Sequence, residues 1–221
     1  MLKIVIYDSG VGGELFANYL KRELPIVEIV CVVDHAHSSE IIASHHKARL
    51  YAEEALSRYI GKVDLVVLAN HLLSLTSLSY FTRKYPNQTF LGLGLPICSS
   101  KKHKDTLILT TSAMARTLRY HLYLHGLKGR TMTITLDDMP DCIDNAKLSL
   151  AQVKEAVLEP TLQKHFKPRE IILACAHFSA LEAPLRRAFG TNVRIRSGYT
   201  DALRGVCRAL NIRGGCCFKQ K

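Results

Sequence analysis

At 221 residues, 48% of them apolar and 22% charged, the chain has enough material for one large domain or two small ones, and its net charge of +11 favours anionic partners from small carboxylates to nucleic acid without choosing among them. No apolar run approaches the roughly 20 residues of a helical membrane span, and the opening MLKIVIYDSG is too short for a signal peptide and reads as a strand. Seven cysteines, an odd count with no CxxC or zinc-like spacing, read as reduced thiols of a cytoplasmic protein.

The first aliphatic run, residues 3–7, predicts a strand that hands over at 8-DSGVGG-13 to an amphipathic helix over 13–24. The glycines permit a tight turn and close ligand approach, but GxGG lacks the lysine and threonine of a P-loop and the GxGxxG spacing, which argues against a nucleotide. Asp8 either accepts from a substrate ammonium, orients an acid/base group, or caps the following helix. A strand over 27–33 leads into 34-DHAHSSEIIASHH-46, where His35 and His37 share a side while His45 and His46 lie along a helix predicted over 39–59. This gives no zinc spacing, and no metal is expected. Strands over 63–69 and 89–95 precede the basic run KKHK at 101–104, which has no interleaved aromatics and reads as a solvated loop, so nucleic acid is not an expected partner.

Further on, the pattern predicts strands over 105–111 and 130–136 with helices over 113–125 and 149–165. In 171-IILACAHFSAL-181 a strand predicted over 170–176 carries Cys175 near its end, where it hands over to a helix that begins near Ser179. Backbone N–H groups at that junction favour thiolate, the form that acts as base or nucleophile, whereas a small apolar residue closing a buried strand is the alternative. His177 either donates to a substrate carboxylate or thiolate, or closes the strand through a backbone bond. A strand over 192–196, a helix over 201–211 and a frayed GGCC tail at 214–217 complete the chain.

Strand and helix in alternation mean an α/β protein with parallel sheets covered on both faces. The chain also resembles itself: 171-IILACAHFS-179 lines up with 66-VVLANHLLS-74, putting Cys175 on Asn70, and 109-LTTSA-113 lines up with 6-IYDSG-10 at nearly the same offset, putting Ser112 on Ser9. Each duplicated half then ends two strands at one place, and ligands of open α/β sheets bind beyond such carboxyl ends.

Four stretches spread over nearly the whole chain, DSGVGG, VVLAN, LACAHF and RSGYTDAL, make the sequence resemble the aspartate/glutamate racemase superfamily, and glutamate racemase most. DSGVGG is a fairly specific match, and LACAHF is a degraded form of the family's LGCTHY. The resemblance implies two pseudo-symmetric lobes, each a parallel sheet flanked by helices, with the active-site cleft between them. Residues 1–97 plus 198–221 would form the first lobe and 98–197 the second. It also implies a cytoplasmic, cofactor-independent isomerase acting at the α-carbon of an acidic amino acid or related carboxylate, in the metabolism that supplies peptidoglycan precursors. Its partners would be a small acidic substrate and a second copy in a homodimer.

In that family two cysteines, one from each half, exchange the α-proton on opposite faces of the substrate. Cys175 matches the second-half cysteine, His177 the histidine beside it, and Asp8 and Ser9 the acid and hydroxyl that meet substrate near the first cysteine. Thr111 and Arg116 match the strand end and helix start of the second half's first repeat. Ser39 and Glu40, with Ile41, stand where the family has Pro-Tyr-Gly, and Ala176 where it has threonine. The first-half motif ACNT is here Ala69-Asn70-His71-Leu72, so Asn70, an amide with no useful acid/base pKa, takes the place of the first cysteine. His71 is the nearest titratable group and the candidate stand-in base. The resemblance thus implies one surviving catalytic thiol. Three readings follow: an isomerase with a degenerate catalytic pair, a racemase-derived binding or regulatory protein without turnover, and a single-cysteine enzyme like the superfamily's arylmalonate decarboxylases, where that cysteine protonates a planar intermediate left by loss of carbon dioxide.

Overall fold

A computed structural model describes residues 1–37, 40–41, 44–94, 105–117 and 130–212. The basic run at 101–104, most of the helix expected over 113–125, Ser39 and the GGCC tail lie outside the described residues. The chain divides into two compact units, Met1–Gly94 with Tyr199–Lys221, and Leu95–Gly198. No helix among the described residues is long and apolar enough to cross a membrane.

The first unit contains β1 (Lys3–Asp8), α1 (Val11–Glu23), β2 (Glu28–Val33), a 3-10 turn (His35–His37), α2 (His45–Leu56), β3 (Leu65–Leu68), α3 (His71–Lys84) and β4 (Phe90–Gly92). Its four strands are all parallel in the order β2-β1-β3-β4. The short aliphatic run of β3 is buried along its whole length, as a strand covered on both faces must be.

The second unit repeats the plan. It runs β5 (Thr106–Thr110), α4 (described over 112–117), β6 (Thr131–Thr135), α5 (Met139–Asp144), α6 (Leu150–Val153), a π-turn (Lys154–Leu158), α7 (Glu159–Gln163), β7 (Glu170–Leu173), a 3-10 turn (Ala176–Leu181), α8 (Glu182–Phe189) and β8 (Arg194–Arg196). The order β6-β5-β7-β8, again all parallel, is the same topology as in the first unit.

Backbone hydrogen bonds fix the correspondence between the repeats. Ala69 N–H donates to the Tyr7 carbonyl and Ala174 N–H to the Leu109 carbonyl, both at 2.8 Å. Asp34 N–H donates to Asp8 (2.9 Å) and Leu136 N–H to Thr110 (2.8 Å). Asn70 and Cys175 are therefore equivalent, as the sequence match has them. On the first strands the match is one residue out: Thr110 stands on Asp8 and Thr111 on Ser9, rather than Ser112. Successive side chains of a strand point to opposite faces, so that single residue exchanges the face each one presents.

The helices depart from the sequence pattern where local hydrogen bonding overrides it. The helix expected over 39–59 is interrupted at Ser44, whose extended backbone (φ −144°, ψ 116°) and side chain, accepting from Lys47 N–H, start α2 only at His45. Helix α3 is an additional element. Its buried face includes Ser74 and Ser77, and the Ser74 hydroxyl donates to the Leu68 carbonyl (2.6 Å) while accepting from Leu93 N–H (3.1 Å), which satisfies a buried polar group. The helix expected over 149–165 opens with a Ser149–Gln152 capping box, then widens into the π-turn just before Pro160, whose nitrogen has no hydrogen to donate.

The last helix, Tyr199–Ala209, belongs to the first unit. The Tyr199 hydroxyl donates to the Gly12 carbonyl (3.3 Å), and its ring lies 4.9 Å from that of Phe16 and 5.4 Å from that of Tyr19. At Gly205 an added Cβ would meet Leu91 at 3.0 Å, so glycine lets this helix approach β4 closely.

Helices α2 and α3 are joined by a polar cluster. Glu53 accepts from the Tyr80 hydroxyl (3.0 Å) and from the Tyr85 hydroxyl and pairs with Lys84, while the Arg49 guanidinium lies 4.3 Å over the Tyr80 ring. Burial alone would push the Glu53 carboxyl up, but the hydrogen bonds from Lys84, Tyr85 and Tyr80 outweigh it and hold the group below the usual carboxylate range. A depressed folded pKa contributes stability that is present above the ordinary value and lost as pH falls through the depressed one. We therefore expect Glu53→Gln to lower stability by about 1 kcal/mol at pH 7. In thermal melts the gap between wild type and variant should close as the carboxylate is protonated below about pH 4. A gap that stays constant with pH would exclude this role for the charge.

Candidate functional site

In the first unit, β1 and β3 bring Asp8, Ser9 and Asn70 together at the carboxyl edge of the sheet. Asp8 and Ser9 are buried, at 1% and 5% exposure. Asp8 Oδ1 accepts from Ser9 N–H at 2.7 Å and from Asn70 Nδ2 at 3.3 Å, and Asn70 Nδ2 also donates to Ser9 Oγ at 2.9 Å. The other end of the amide, Oδ1, accepts from Leu73 N–H at 3.0 Å and caps α3. Asp8 is not the cap of α1: the N-cap there is Gly10, without a side-chain bond. The glycine-rich turn serves close packing, since a Cβ on Gly13 would lie 2.5 Å from Asp8 Cβ.

The Asp8 charge is felt on the neighbouring strand. Burial first, then the charges of Asp8 and Glu14, push the Cys31 thiol up to about 11, so it stays protonated at neutral pH. A second group of polar residues follows β2. Asp34 accepts from the Tyr7 hydroxyl (3.3 Å), pairs with His37 Nδ1 (2.8 Å) and accepts from His37 N–H, and the His37 ring stacks on Tyr51 with centroids 3.9 Å apart. Burial, reinforced by Asp34, raises the Tyr7 phenol far above its ordinary value. Glu40 accepts from Lys47 (2.6 Å) and from the Tyr51 hydroxyl (2.8 Å), bonds that reach to α2. His71 opens α3 with its side chain buried, at 4% exposure.

In the second unit Cys175 leaves β7 with an extended backbone (φ −147°, ψ 141°) and stands at the N-cap of the 3-10 turn with no side-chain hydrogen bond to that turn's backbone. Its sulfur lies 3.7 Å from His177 Nδ1, and His177 Nε2 lies 3.3 Å from Asp144 Oδ1. In the tautomer that carries its hydrogen on Nε2, on the side of the Asp144 carboxylate, the Nδ1 lone pair faces the thiol. In that tautomer His177 can take the Cys175 proton, and Asp144 stabilises the resulting imidazolium. Ala176, next to the cysteine, is buried. Thr111 accepts from Met114 N–H at 3.4 Å and begins α4, where the Asp137 carboxylate also receives the Ser112 N–H (2.7 Å) and hydroxyl.

Asp144, beside His177, is the member of this group that the sequence pattern does not single out. It ends α5, a six-residue helix after β6, and the available signal was Pro140 near the start of that turn in an acid-rich stretch. Among the described residues no group of three or more His, Cys, Asp or Glu side chains could hold a metal ion.

No protein-family model matches the chain. Over 215 residues it is 23% identical to the glutamate racemase of Lactococcus lactis subsp. lactis (strain IL1403), a match covering 94% of this chain and 79% of the relative. Among solved structures, Escherichia coli glutamate racemase, in complex with L-glutamate and the activator UDP-MurNAc-Ala, superposes with a TM-score of 0.82 at 19% identity, covering 96% of this chain and 83% of that one. Picrophilus torridus aspartate racemase gives a TM-score of 0.66 at 14% identity over 96% of this chain and 95% of its own. The two four-stranded parallel sheets with their flanking helices match the two-lobed α/β fold of glutamate racemase.

The relay makes a prediction independent of substrate. Asp144→Asn should slow alkylation of Cys175 by iodoacetamide about tenfold at pH 7, as loss of the acceptor carboxylate lowers the thiolate fraction. Peptide mass spectrometry reads this against Cys31, whose raised pKa makes it the slow internal reference. Equal Cys175 rates in the two proteins would remove Asp144 from the relay.

Proposed function

We propose that this chain is a cofactor-independent enzyme of the glutamate racemase type, acting at the α-carbon of an acidic amino acid or related carboxylate, with Cys175 as its acid/base group. The observation that carries the reading is the Cys175–His177–Asp144 relay at the carboxyl edge of the second sheet. Similarity to glutamate racemases along nearly the whole chain supports the reaction class. The reading includes a small acidic ligand, a homodimer and a cytoplasmic location.

In this mechanism His177 takes the thiol proton and Asp144 holds the imidazolium. The Cys175 thiolate then removes the α-proton: the C–H bond breaks, an S–H bond forms, and the electron pair passes into the adjacent carboxylate as a planar enediolate. Return of a proton from sulfur closes the cycle. The equivalent position in the first repeat is Asn70, which stands where the family's first cysteine stands. An amide neither releases nor accepts a proton in the neutral range, so the thiol chemistry is confined to Cys175. Asp8 and Ser9 serve as ligand contacts in the first half. Because both ends of the Asn70 amide are already hydrogen-bonded within the protein, a second reading also has support: a small-acid binding protein without turnover.

Incubation with D- or L-glutamate or aspartate in deuterated water separates the two. The enzyme should wash deuterium into the α-position, seen by loss of the α-proton NMR signal, and Cys175→Ala should abolish it. Exchange that persists in Cys175→Ala would rule out the assigned base. Melting-temperature increases with glutamate, but no exchange, would favour binding without turnover. Asn70→Cys restores a thiol at the equivalent junction, and gain of racemisation at saturating amino acid is the expected result, read by circular dichroism of the free amino acid.

A further inference from the structure

Asn70 is more than the place of a missing thiol. Its Oδ1 caps α3 through Leu73 N–H, and its Nδ2 reaches both Ser9 Oγ and Asp8 Oδ1. A cysteine at this junction does neither job well, since a thiol is a weak donor and a weak acceptor. The close approach of Gly13 confines Asp8 from the α1 side. The Ser9 oxygen accepts from the amide, so the hydroxyl proton is directed away from Asn70.

We propose that Asn70 is a positioning residue that fixes the Asp8 carboxylate and the Ser9 hydroxyl as one preorganised contact surface for a small acidic ligand. This rests on the assignment of Asp8 and Ser9 as ligand contacts under Proposed function. The amide supplies what a carboxylate at the same position could not: a donor toward Asp8. Substitution by aspartate therefore separates the two tasks of Asn70. Aspartate is as good a helix cap as asparagine, but it brings a second carboxylate against Asp8 Oδ1, and two adjacent carboxylates resist full ionisation.

The test compares wild type, Asn70→Asp and Asn70→Ala, with D- and L-glutamate as probes and thermal shift as the readout at pH 5 and pH 8. For Asn70→Asp the apparent glutamate affinity should fall at least tenfold at pH 8 and recover toward wild type at pH 5, where the carboxylate pair shares a proton. Asn70→Ala loses cap and donor together and should bind weakly at both pH values. Glutamate affinity of Asn70→Asp within twofold of wild type at pH 8 would overturn the proposal. If glutamate does not shift even the wild-type melt, it is the ligand assignment that fails, and ligand-free melts still decide the clamp. Asn70→Asp should lose melting temperature relative to wild type between pH 5 and pH 8, and parallel profiles would show that the amide does not hold Asp8.

Discussion

Two backbone hydrogen bonds, Ala69 N–H to Tyr7 and Ala174 N–H to Leu109, decide which residues leave each sheet side by side. Each locks the third strand of a repeat onto its first at the last ladder position. The next residue, Asn70 or Cys175, then emerges beside the end of the neighbouring strand, Asp8-Ser9 in one repeat and Thr110-Thr111 in the other. A parallel sheet places all its carboxyl ends at one edge, so these junctions are where side chains from separate parts of the sequence converge. Moving the register by one residue would turn Asn70 and Cys175 toward the opposite face and dissolve both groups.

With the backbone shared, chemistry differs through the side chains that occupy the junctions. In the first repeat an amide, a carboxylate and a hydroxyl bond to one another. In the second, a thiol, an imidazole and a carboxylate form a chain running from β7 to α5. The flanking serines show the same divergence. Ser74 is buried and ties β3 to Leu93, whereas the equivalent Ser179 donates to the Ala176 carbonyl within its own 3-10 turn.

The sheets were legible in the sequence because their central strands are uninterrupted aliphatic runs with both faces covered, which leaves little room for another reading. Helix α3 was harder to see because its buried face includes Ser74 and Ser77, whose polarity is satisfied only through the folded sheet. The break at Ser44 depends on a cap that competes with an otherwise continuous helical pattern. Within the candidate site, Asp8, Ser9 and Asn70 could be connected by internal repetition and family resemblance, as could Cys175 and His177. Asp144 could not, because it shares no repeat match and reaches His177 only when α5 folds back after β6. The one-residue error between Ser9 and Ser112 has a similar origin: identical serines outweighed a strand register that only hydrogen bonds reveal.

The two junctions also differ in what they contribute to stability. Asparagine is among the best N-cap residues, and an N-cap of this kind is worth about 1 kcal/mol relative to alanine. Cysteine is not among the preferred caps, and the junction at Cys175 has no side-chain cap: its helix opens as a 3-10 turn, with Phe178 N–H donating to the Cys175 carbonyl at 3.1 Å. A repeat that keeps a thiol there therefore forgoes the cap that its counterpart has. Reactive groups often sit where local preference is set aside, because a side chain already satisfied by the backbone is not available to a substrate. The two junctions differ accordingly: Asn70 spends its amide oxygen on the cap of α3, whereas the Cys175 sulfur lies against His177 and leaves its turn uncapped.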